Sequence, residues 1–314
     1  MIMTYLSAKE KNVLQLTSRH FREIFLGYRF KKSCTLIVPS YRYGIYAIEM
    51  CYRTGTALPL GLMKDRRYAT MGISGNKSKL VVVGGREYLN CLSSAECYDF
   101  GTKQWEALPN MRTKRGTTSG VFLADGLTFL VTGGDNGKIL SSCEQLSLTT
   151  RTWSPAAVLS GPRGGHCTVL YNSKPVVLGG CNGSGWLNMC EQYSPTNNTW
   201  SIFPAFKSGR AYFAAAVVLD KLYIAGGMGA ADSVEVYDGS AWADLPFSLP
   251  QNTRYNCTMI CMQGKLVVIG KNRNGIHIYT LPNDEEKTGE WKDNGTLYYR
   301  GSQYFGFIEK IVFY

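Results

Sequence analysis

Histidine is scarce in this sequence, and its cysteines lack the spacing of metal sites. Three histidines occur among 314 residues, and none of the ten cysteines belongs to a CxxC pair. A local zinc motif built from paired Cys and His ligands is therefore excluded. GxSxG and Walker phosphate-binding sequences are absent too. We expect no metal, no cofactor and no catalytic residue, so that the protein is not an enzyme.

Long apolar runs are also missing, since no window approaches the 18 apolar residues of a membrane-spanning helix. Near the N-terminus, Lys9, Glu10 and Lys11 interrupt the apolar stretch that a signal peptide needs. These absences predict a soluble protein in the cytoplasm, or also in the nucleus, with no membrane partner. In such a reducing compartment we expect the cysteines to be free thiols.

Acidic residues are fewer than basic ones, which gives a net charge of +11. Residues 1 to 32 contribute +5, and the remaining chain contributes +6. The +6 of the remaining chain equals the number of recurring arginines described below. Without those six arginines this part of the chain would be neutral, so it has no diffuse basic surface. The charge therefore does not indicate a nucleic-acid partner.

One stretch, 174 to 200, contains pieces that recur in the same order. An apolar run ends in two glycines, a polar loop and a Tyr follow, and a Trp comes seven residues later. The other copies combine LVVVGG with Tyr98 and Trp105, FLVTGG with Leu146 and Trp153, LYIAGG with Tyr237 and Trp242, and LVVIGK with Tyr279 and Trp291. A period of this length indicates one supersecondary unit per copy.

A second signal counts six units. An arginine precedes a small or aromatic residue and a new apolar strand at intervals of 44 to 48 residues. These arginines are Arg67, Arg115, Arg163, Arg210, Arg254 and Arg300.

The diglycine, the Tyr/Trp pair and the period resemble those of kelch repeats, each of which forms a four-stranded propeller blade. The resemblance implies an all-β, six-bladed kelch β-propeller over residues 33 to 314. The first blade, from 34 to about 59, is degenerate and lacks an innermost strand. We therefore expect residues 302 to 309 to pair with it and close the ring.

Residues 1 to 32 form a separate extension. Apolar residues at three- and four-residue steps predict a helix from 4 to 28. The run LQLTSRHFREIF resembles the second half of an F-box, whereas the Leu-Pro start of that motif has no room here. Two interpretations stay open, an F-box remnant and an amphipathic helix that covers the propeller edge or a neighbouring domain.

The arginines should lie where each blade crosses to the next, and thus form a ring around one channel mouth. In this interpretation they favour an acidic or phosphorylated peptide, although each arginine could instead satisfy loop carbonyls. The loops after each diglycine should share that face. Trp186 is the one Trp outside the repeat position, which makes it either a partner anchor or a lid over its own blade. The predicted partner-binding residues are the six arginines, Trp186, Tyr212, Tyr255, Asn136 and Asn182.

The resemblance implies a non-enzymatic protein-recognition module. Its expected setting is substrate recognition for a cullin-RING ubiquitin ligase, with a Skp-type adaptor and a cullin as further partners. The alternatives are a cytoskeletal or scaffolding kelch protein and an enzyme such as a kelch sugar epimerase.

Overall fold

The computed structural model describes residues 34–40, 44–51, 54–59, 66–250, 257–262, 265–272, 275–281, 291–297 and 312–313. Their strands form six four-stranded antiparallel sheets, named I to VI here in chain order. These residues contain no helix, and hence none that could cross a membrane. The predicted all-β class is therefore confirmed. The predicted helix from 4 to 28 lies outside the described residues.

The first three sheets are built as follows. Sheet I contains β1 (Cys34–Ser40), β2 (Gly44–Cys51), β3 (Thr54–Pro59) and β26 (Val312–Phe313). Sheet II contains β4 (Thr70–Ile73), β5 (Lys79–Val83), β8 (Ala95–Asp99) and β9 (Gln104–Leu108), with a small hairpin of β6 (Arg86–Glu87) and β7 (Asn90–Cys91) inserted. Sheet III contains β10 (Ser119–Phe122), β11 (Thr128–Thr132), β12 (Cys143–Ser147) and β13 (Thr152–Ala156).

The other three sheets follow the same plan. Sheet IV contains β14 (Cys167–Tyr171), β15 (Lys174–Cys181), β16 (Trp186–Ser194) and β17 (Thr199–Phe203). Sheet V contains β18 (Ala214–Val218), β19 (Lys221–Ala225), β20 (Val234–Tyr237) and β21 (Trp242–Asp244). Sheet VI contains β22 (Thr258–Met262), β23 (Lys265–Asn272), β24 (Gly275–Leu281) and β25 (Lys292–Leu297).

Five sheets each come from one continuous stretch of chain, whereas sheet I combines both ends of the described chain. Its fourth strand, β26, pairs with β1 through Ile37 and Val312. The pairing strand thus lies three residues beyond the predicted range of 302 to 309, which itself lies outside the described residues. The innermost strands contact one another in the order β26, β4, β10, β14, β18 and β22. Neighbouring sheets therefore contact each other through their innermost strands, in the order of the chain.

The apolar runs do not alternate because both faces of each sheet are covered. In β5, Val81 and Val83 pack with Phe122 and Phe129 of sheet III. Leu80 and Val82 point to the opposite face and belong to a separate cluster with Tyr98. All four β5 side chains have no solvent exposure. A strand buried on both faces gains apolar contacts at every position, which explains the continuous LVVV sequence.

The repeat tryptophans connect neighbouring sheets at their outer edges. In four of the five, the indole Nε1 donates a hydrogen bond of 2.7 to 3.1 Å to a carbonyl that follows the preceding sheet. The pairs are Trp153 with Pro109, Trp200 with Ala157, Trp242 with Pro204, and Trp291 with Ser248. The tryptophans therefore serve the scaffold, as the repeat predicts.

A buried ion pair holds the segment that crosses from one sheet to the next. In sheet IV, Arg163 donates to Glu191 Oε1 at 2.6 Å and to the carbonyls of Gly179 and Met189 at 3.1 and 2.9 Å. Glu191 Oε2 accepts the Ser160 backbone N–H at 3.0 Å. One pair thus ties the first glycine of the diglycine to the crossing segment.

The same pair recurs in three more sheets. Sheet II has Arg66 with Glu96, sheet III has Arg115 with Glu144, and sheet V has Arg210 with Glu235. Burial lowers the pKa of Arg66, Arg163 and Arg210, and their glutamates oppose this shift. The pairs are therefore ionic partners removed from water, and each depends on its counter-charge.

Sheet VI breaks this pattern. Each of the four glutamates pairs across its sheet with the residue two positions before the first glycine, as Glu96 does with Val82. In sheet VI that register position belongs to Tyr279, which pairs with Val268. Leu281, opposite Leu266, takes the place that Tyr98 has opposite Leu80. The prediction that Tyr279 is the repeat tyrosine was therefore wrong by two residues.

The ion pair makes a stability prediction. Arg163→Leu leaves the carboxylate of Glu191 buried without its partner, so the free energy of unfolding should fall by about 3–5 kcal/mol. The matched control is Arg151→Leu, which removes an ion pair with Glu106 in which both side chains are over a third exposed. That change should cost less than about 1 kcal/mol. Urea denaturation measures both, and equal small losses would contradict the assigned role.

Candidate functional site

The crossing segments and the loops after the diglycines meet at one end of the sheets. Single backbone bridges join each crossing segment to the residue that follows a diglycine. The bridged pairs are Arg67 with Arg86, Gly116 with Asp135, Gly164 with Cys181, and Ala211 with Met228. We call this end the crossover face, defined by these eight residues and the loops that contain them. The prediction that both sets of loops share a face is thus supported by geometry.

Three of the predicted ring arginines do not reach the solvent on this face. Arg115, Arg163 and Arg210 are 0–1% exposed, and their guanidinium groups are occupied by the glutamates and carbonyls described above. A side chain without exposure cannot contact a partner. The structure therefore corrects the predicted ring of positive charge, because each of these charges is neutralised within its own sheet.

The ring arginine predicted for sheet II, Arg67, is one residue away from the arginine that matches the repeat, Arg66. Its neighbour Arg66 makes the ion pair with Glu96 at 2.6 Å and donates to the carbonyls of Gly84 and Ser94. Arg67 instead takes the bridged position that Gly116 has in sheet III, and it is exposed. The remaining predicted residues Arg254, Tyr255 and Arg300 lie outside the described residues.

A charged side chain links sheets II and III across the crossover face. Arg86, the first residue after the diglycine of sheet II, forms an ion pair with Asp135, its counterpart in sheet III. Asp135 also accepts the Thr117 hydroxyl at 2.7 Å. Burial opposes the charged form of Arg86, but the hydrogen bond and the charge of Asp135 outweigh it and raise the pKa of the guanidinium. This link fixes the two loops relative to each other.

Three exposed apolar residues lie near the junction of sheets IV and V. Trp186, Tyr212 and Met228 are 42–49% exposed, and we call them the aromatic patch. Trp186 pairs with Cys181 across the β15–β16 hairpin, and Cys181 bridges to Gly164. These contacts bring the Trp186 loop beside the crossing segment of its own sheet.

Two glycines hold the rings of the patch. The Tyr212 ring lies over Gly165, where a Cβ would come within 2.9 Å of ring atoms. The Trp186 indole lies over Gly229, where a Cβ would come within 2.9 Å of Cδ1. Gly229 follows Met228, so Trp186 and Met228 lie beside the same loop of sheet V, whereas the Tyr212 ring packs on the crossing segment that leads into sheet IV. Burial raises the pKa of the Tyr212 phenol, with further contributions from Cys181, Asp135 and Tyr68, and the group therefore stays neutral at physiological pH.

The Trp186 indole packs on a neighbouring sheet. Its contact with Gly229 bridges sheets IV and V, while 48% of the residue stays exposed. Asn182 Oδ1 accepts the N–H groups of Ser184 and Gly185 at 3.0 and 3.2 Å, so this side chain shapes the Trp186 loop. Asn136 lies exposed in the corresponding loop of sheet III.

The described residues contain no group of three or more His, Cys, Asp or Glu that could hold a metal ion. His166 is buried, and its Nε2 lies 2.8 Å from the Thr132 hydroxyl. Burial lowers the pKa of this imidazole to about 3. The group is therefore neutral at physiological pH and has a position within the core between sheets III and IV.

Two features of this end were missed from the sequence. A glutamate stands two residues before the Tyr position in four copies, at Glu96, Glu144, Glu191 and Glu235. These glutamates recur in the same repeats as the paired arginines, and this shared period was the available signal for the ion pairs. The second feature is the hairpin between Arg86 and Cys91, whose Tyr88 and Leu89 are almost fully exposed. Their apolar character in a polar loop was the available signal.

Comparison with known proteins gives repeat-level matches. The Kelch motif family matches residues 66–112 and 162–207. Kelch-like protein 41a of Danio rerio is 39% identical over 74 residues, which are 24% of this chain and 12% of that protein. An F-box/kelch-repeat protein of Arabidopsis thaliana is 35% identical over 77 residues, 23% of this chain and 18% of that protein. The chain thus matches less than a fifth of the length of these relatives.

A solved structure supports the architecture. The structure of YjhT superposes with a TM-score of 0.60 over 74% of this chain and 84% of that chain, at 16% identity. At this identity the likeness concerns the fold alone. The motif matches identify kelch repeats at residues 66–112 and 162–207 of this chain, and the recurring diglycine and Trp contacts together with the structural likeness indicate that the repeats belong to a β-propeller.

Proposed function

We propose that this protein is a non-enzymatic recognition module that binds a protein partner on its crossover face. The observation that carries the proposal is the aromatic patch of Trp186, Tyr212 and Met228, which stays half exposed on a face assembled from four sheets. Trp and Tyr are enriched among residues that dominate binding energy, and Met among interface residues. Loops held on a rigid scaffold are the usual location of such residues.

The patch favours a partner with apolar side chains over a strongly acidic one. Three arginines that would have attracted acidic groups are buried against glutamates. Arg86 has its charge compensated by Asp135. Exposed Arg67, Lys114 and Lys138 contribute positive charge to the face, whereas exposed Glu87 and Asp232 contribute negative charge. A face with exposed charges of both signs around apolar residues selects partners through shape and apolar contact, with charge at the rim.

We further propose that this recognition serves a cullin-RING ubiquitin ligase. Support comes from the F-box/kelch-repeat relative and from the resemblance of residues 14 to 25 to half of an F-box. A cytoskeletal or scaffolding role is the second candidate, because it needs the same propeller without an adaptor-binding segment.

For the architecture we propose that all six sheets are blades of one closed ring. The pairing of β26 with β1 gives sheet I its fourth strand, and β26 contacts β4 of sheet II. Closure pairs the inner edge of β1 with β26 and covers the faces of sheets I and VI that an open array of sheets would expose.

The aromatic patch leads to a prediction about binding. Met228→Ser and Trp186→Ala should each weaken binding of a captured protein partner about tenfold, because each removes apolar contact area. The control is Ile202→Ser, which changes a 92% exposed residue on the outermost strand of sheet IV. Binding is measured by titration with the purified partner, and melting temperatures verify folding. Unchanged affinity in both patch variants would place the site elsewhere.

The setting has a separate test. If the ligase proposal is right, the full chain expressed in cells should co-purify with a Skp-type adaptor and a cullin, and deletion of residues 1 to 32 should abolish this. Actin in place of the adaptor, unaffected by that deletion, would support the cytoskeletal role and contradict the ligase setting.

Ring closure predicts the effect of a C-terminal truncation. A chain that ends at residue 300 lacks β26, so sheet I loses its innermost strand and exposes the edge of β1. We expect a lower melting temperature and aggregation during refolding. A truncated chain with the melting temperature and solubility of the full chain would contradict closure.

A further inference from the structure

The inserted hairpin of sheet II projects two apolar side chains from the crossover face. Its strands β6 and β7 pair Arg86 with Cys91 and Glu87 with Asn90, which leaves Tyr88 and Leu89 as a two-residue tip. These residues are 87% and 89% exposed. Burial of a Leu or an aromatic side chain stabilises a folded protein. Tyr88 and Leu89 make no such contribution to the fold of their own chain.

The base of the hairpin is held firmly. The backbone of Arg86 exchanges two hydrogen bonds with Arg67, of 2.6 and 2.9 Å, and Leu92 N–H donates to the Gly85 carbonyl at 2.8 Å. The Arg86 side chain lies over Gly116 and ends in the ion pair with Asp135 of the next sheet. The tip therefore stands on a base that is tied to two sheets.

The backbone of the tip is unusual for its sequence. Tyr88 has φ of +52°, a left-handed conformation that glycine and asparagine adopt with less strain. Two-residue hairpin loops prefer such residues at positions of positive φ. The chain has a tyrosine there, followed by an exposed leucine. Neither local conformation nor solvation favours this choice, and strained residues of this kind cluster at functional sites.

The tip has too little apolar area to favour a lipid surface as its target. Arg86 is neutralised by Asp135, and the adjacent Glu87 is exposed and acidic. Exposed Arg67 at the hairpin base and exposed Lys114 of the next crossing segment add positive charge nearby. Membrane binding grows with the apolar area that is buried, and two side chains beside an acidic residue offer little of it, so a protein pocket fits the tip better.

We propose that this hairpin is a preformed anchor that inserts Tyr88 and Leu89 into an apolar pocket of the partner protein. The inference rests on the proposed function and adds the shape of the partner, which must offer a concave apolar site. The pocket would enclose the leucine and the body of the tyrosine ring, with a hydrogen-bond acceptor for the phenol. Because the tip is already rigid, little conformational entropy is lost on binding.

The experiment introduces the photo-cross-linking residue p-benzoylphenylalanine into the full chain in cells. It replaces Tyr88 in one variant, Trp186 in a second, and Ile202 in a third as the exposed control. We expect a protein adduct from position 88 that is not formed from position 202. The adduct should be lost on Leu89→Ser and kept on Leu89→Met, since only the first removes apolar contact.

The captured protein is then purified and titrated with the full chain. Tyr88→Ser and Leu89→Ser should each weaken its affinity about tenfold, whereas Tyr88→Phe isolates the phenol hydroxyl and should cost less. Melting temperatures of all variants should match that of the wild type, because these side chains are exposed.

Several outcomes would overturn the anchor. Adducts of the chain with itself would indicate a second copy as the occupant, and Tyr88-dependent sedimentation with phosphatidylcholine/phosphatidylserine vesicles would indicate a membrane. If only the Trp186 variant captures a protein, and the affinity for that protein is unchanged in Tyr88→Ser and Leu89→Ser, the anchor is wrong and the proposed function stands. If neither position 88 nor position 186 captures a protein, both proposals fail.

Discussion

The buried arginine–glutamate pair is the interaction on which the described propeller depends. It connects three parts of each of sheets II to V: the crossing segment, the first glycine of the diglycine and the third strand. In sheet III, for example, Arg115 donates to Gly133 and Ser142 carbonyls at 2.8 Å, and Glu144 accepts the backbone N–H groups of Arg112 and Thr113. Removing either partner would leave an uncompensated charge in a region without water, so the two residues stabilise the fold only together.

This scaffold also determines what the crossover face can recognise. The arginines are buried and bonded to glutamates and carbonyls inside the protein. The loops that follow the diglycines must therefore provide the contacts with a partner. Those loops differ between sheets: the loop of sheet II forms the Tyr88–Leu89 hairpin, that of sheet III carries Asp135, which pairs with Arg86, and that of sheet IV carries Trp186. A repeated internal frame with variable loops explains how a regular fold presents an irregular surface.

Much of the frame could be predicted from the sequence, because each repeated residue has the same local task in every sheet. Glycine takes positive φ with little strain, so the recurring diglycine is a sequence signal for the conformation that Gly84, Gly85, Gly133 and Gly134 adopt. The recurring Trp is a signal of the same kind for the contacts between sheets. By contrast, the arginines were assigned to the surface because a sequence shows periodicity but not which side of the backbone a side chain faces. The register error at Tyr279 arose because the spacing to Trp291 tolerates insertions, whereas cross-strand pairing does not.

The central claim is that a partner contacts the crossover face through apolar residues. Hydrogen–deuterium exchange of the full chain with and without its captured partner tests this most directly. We predict that protection on binding concentrates in peptides covering 86–91, 181–189 and 228–231, and that the turns at the opposite ends of the strands, such as 124–127 and 195–198, keep their free exchange rates. Protection confined to those opposite turns would contradict the account.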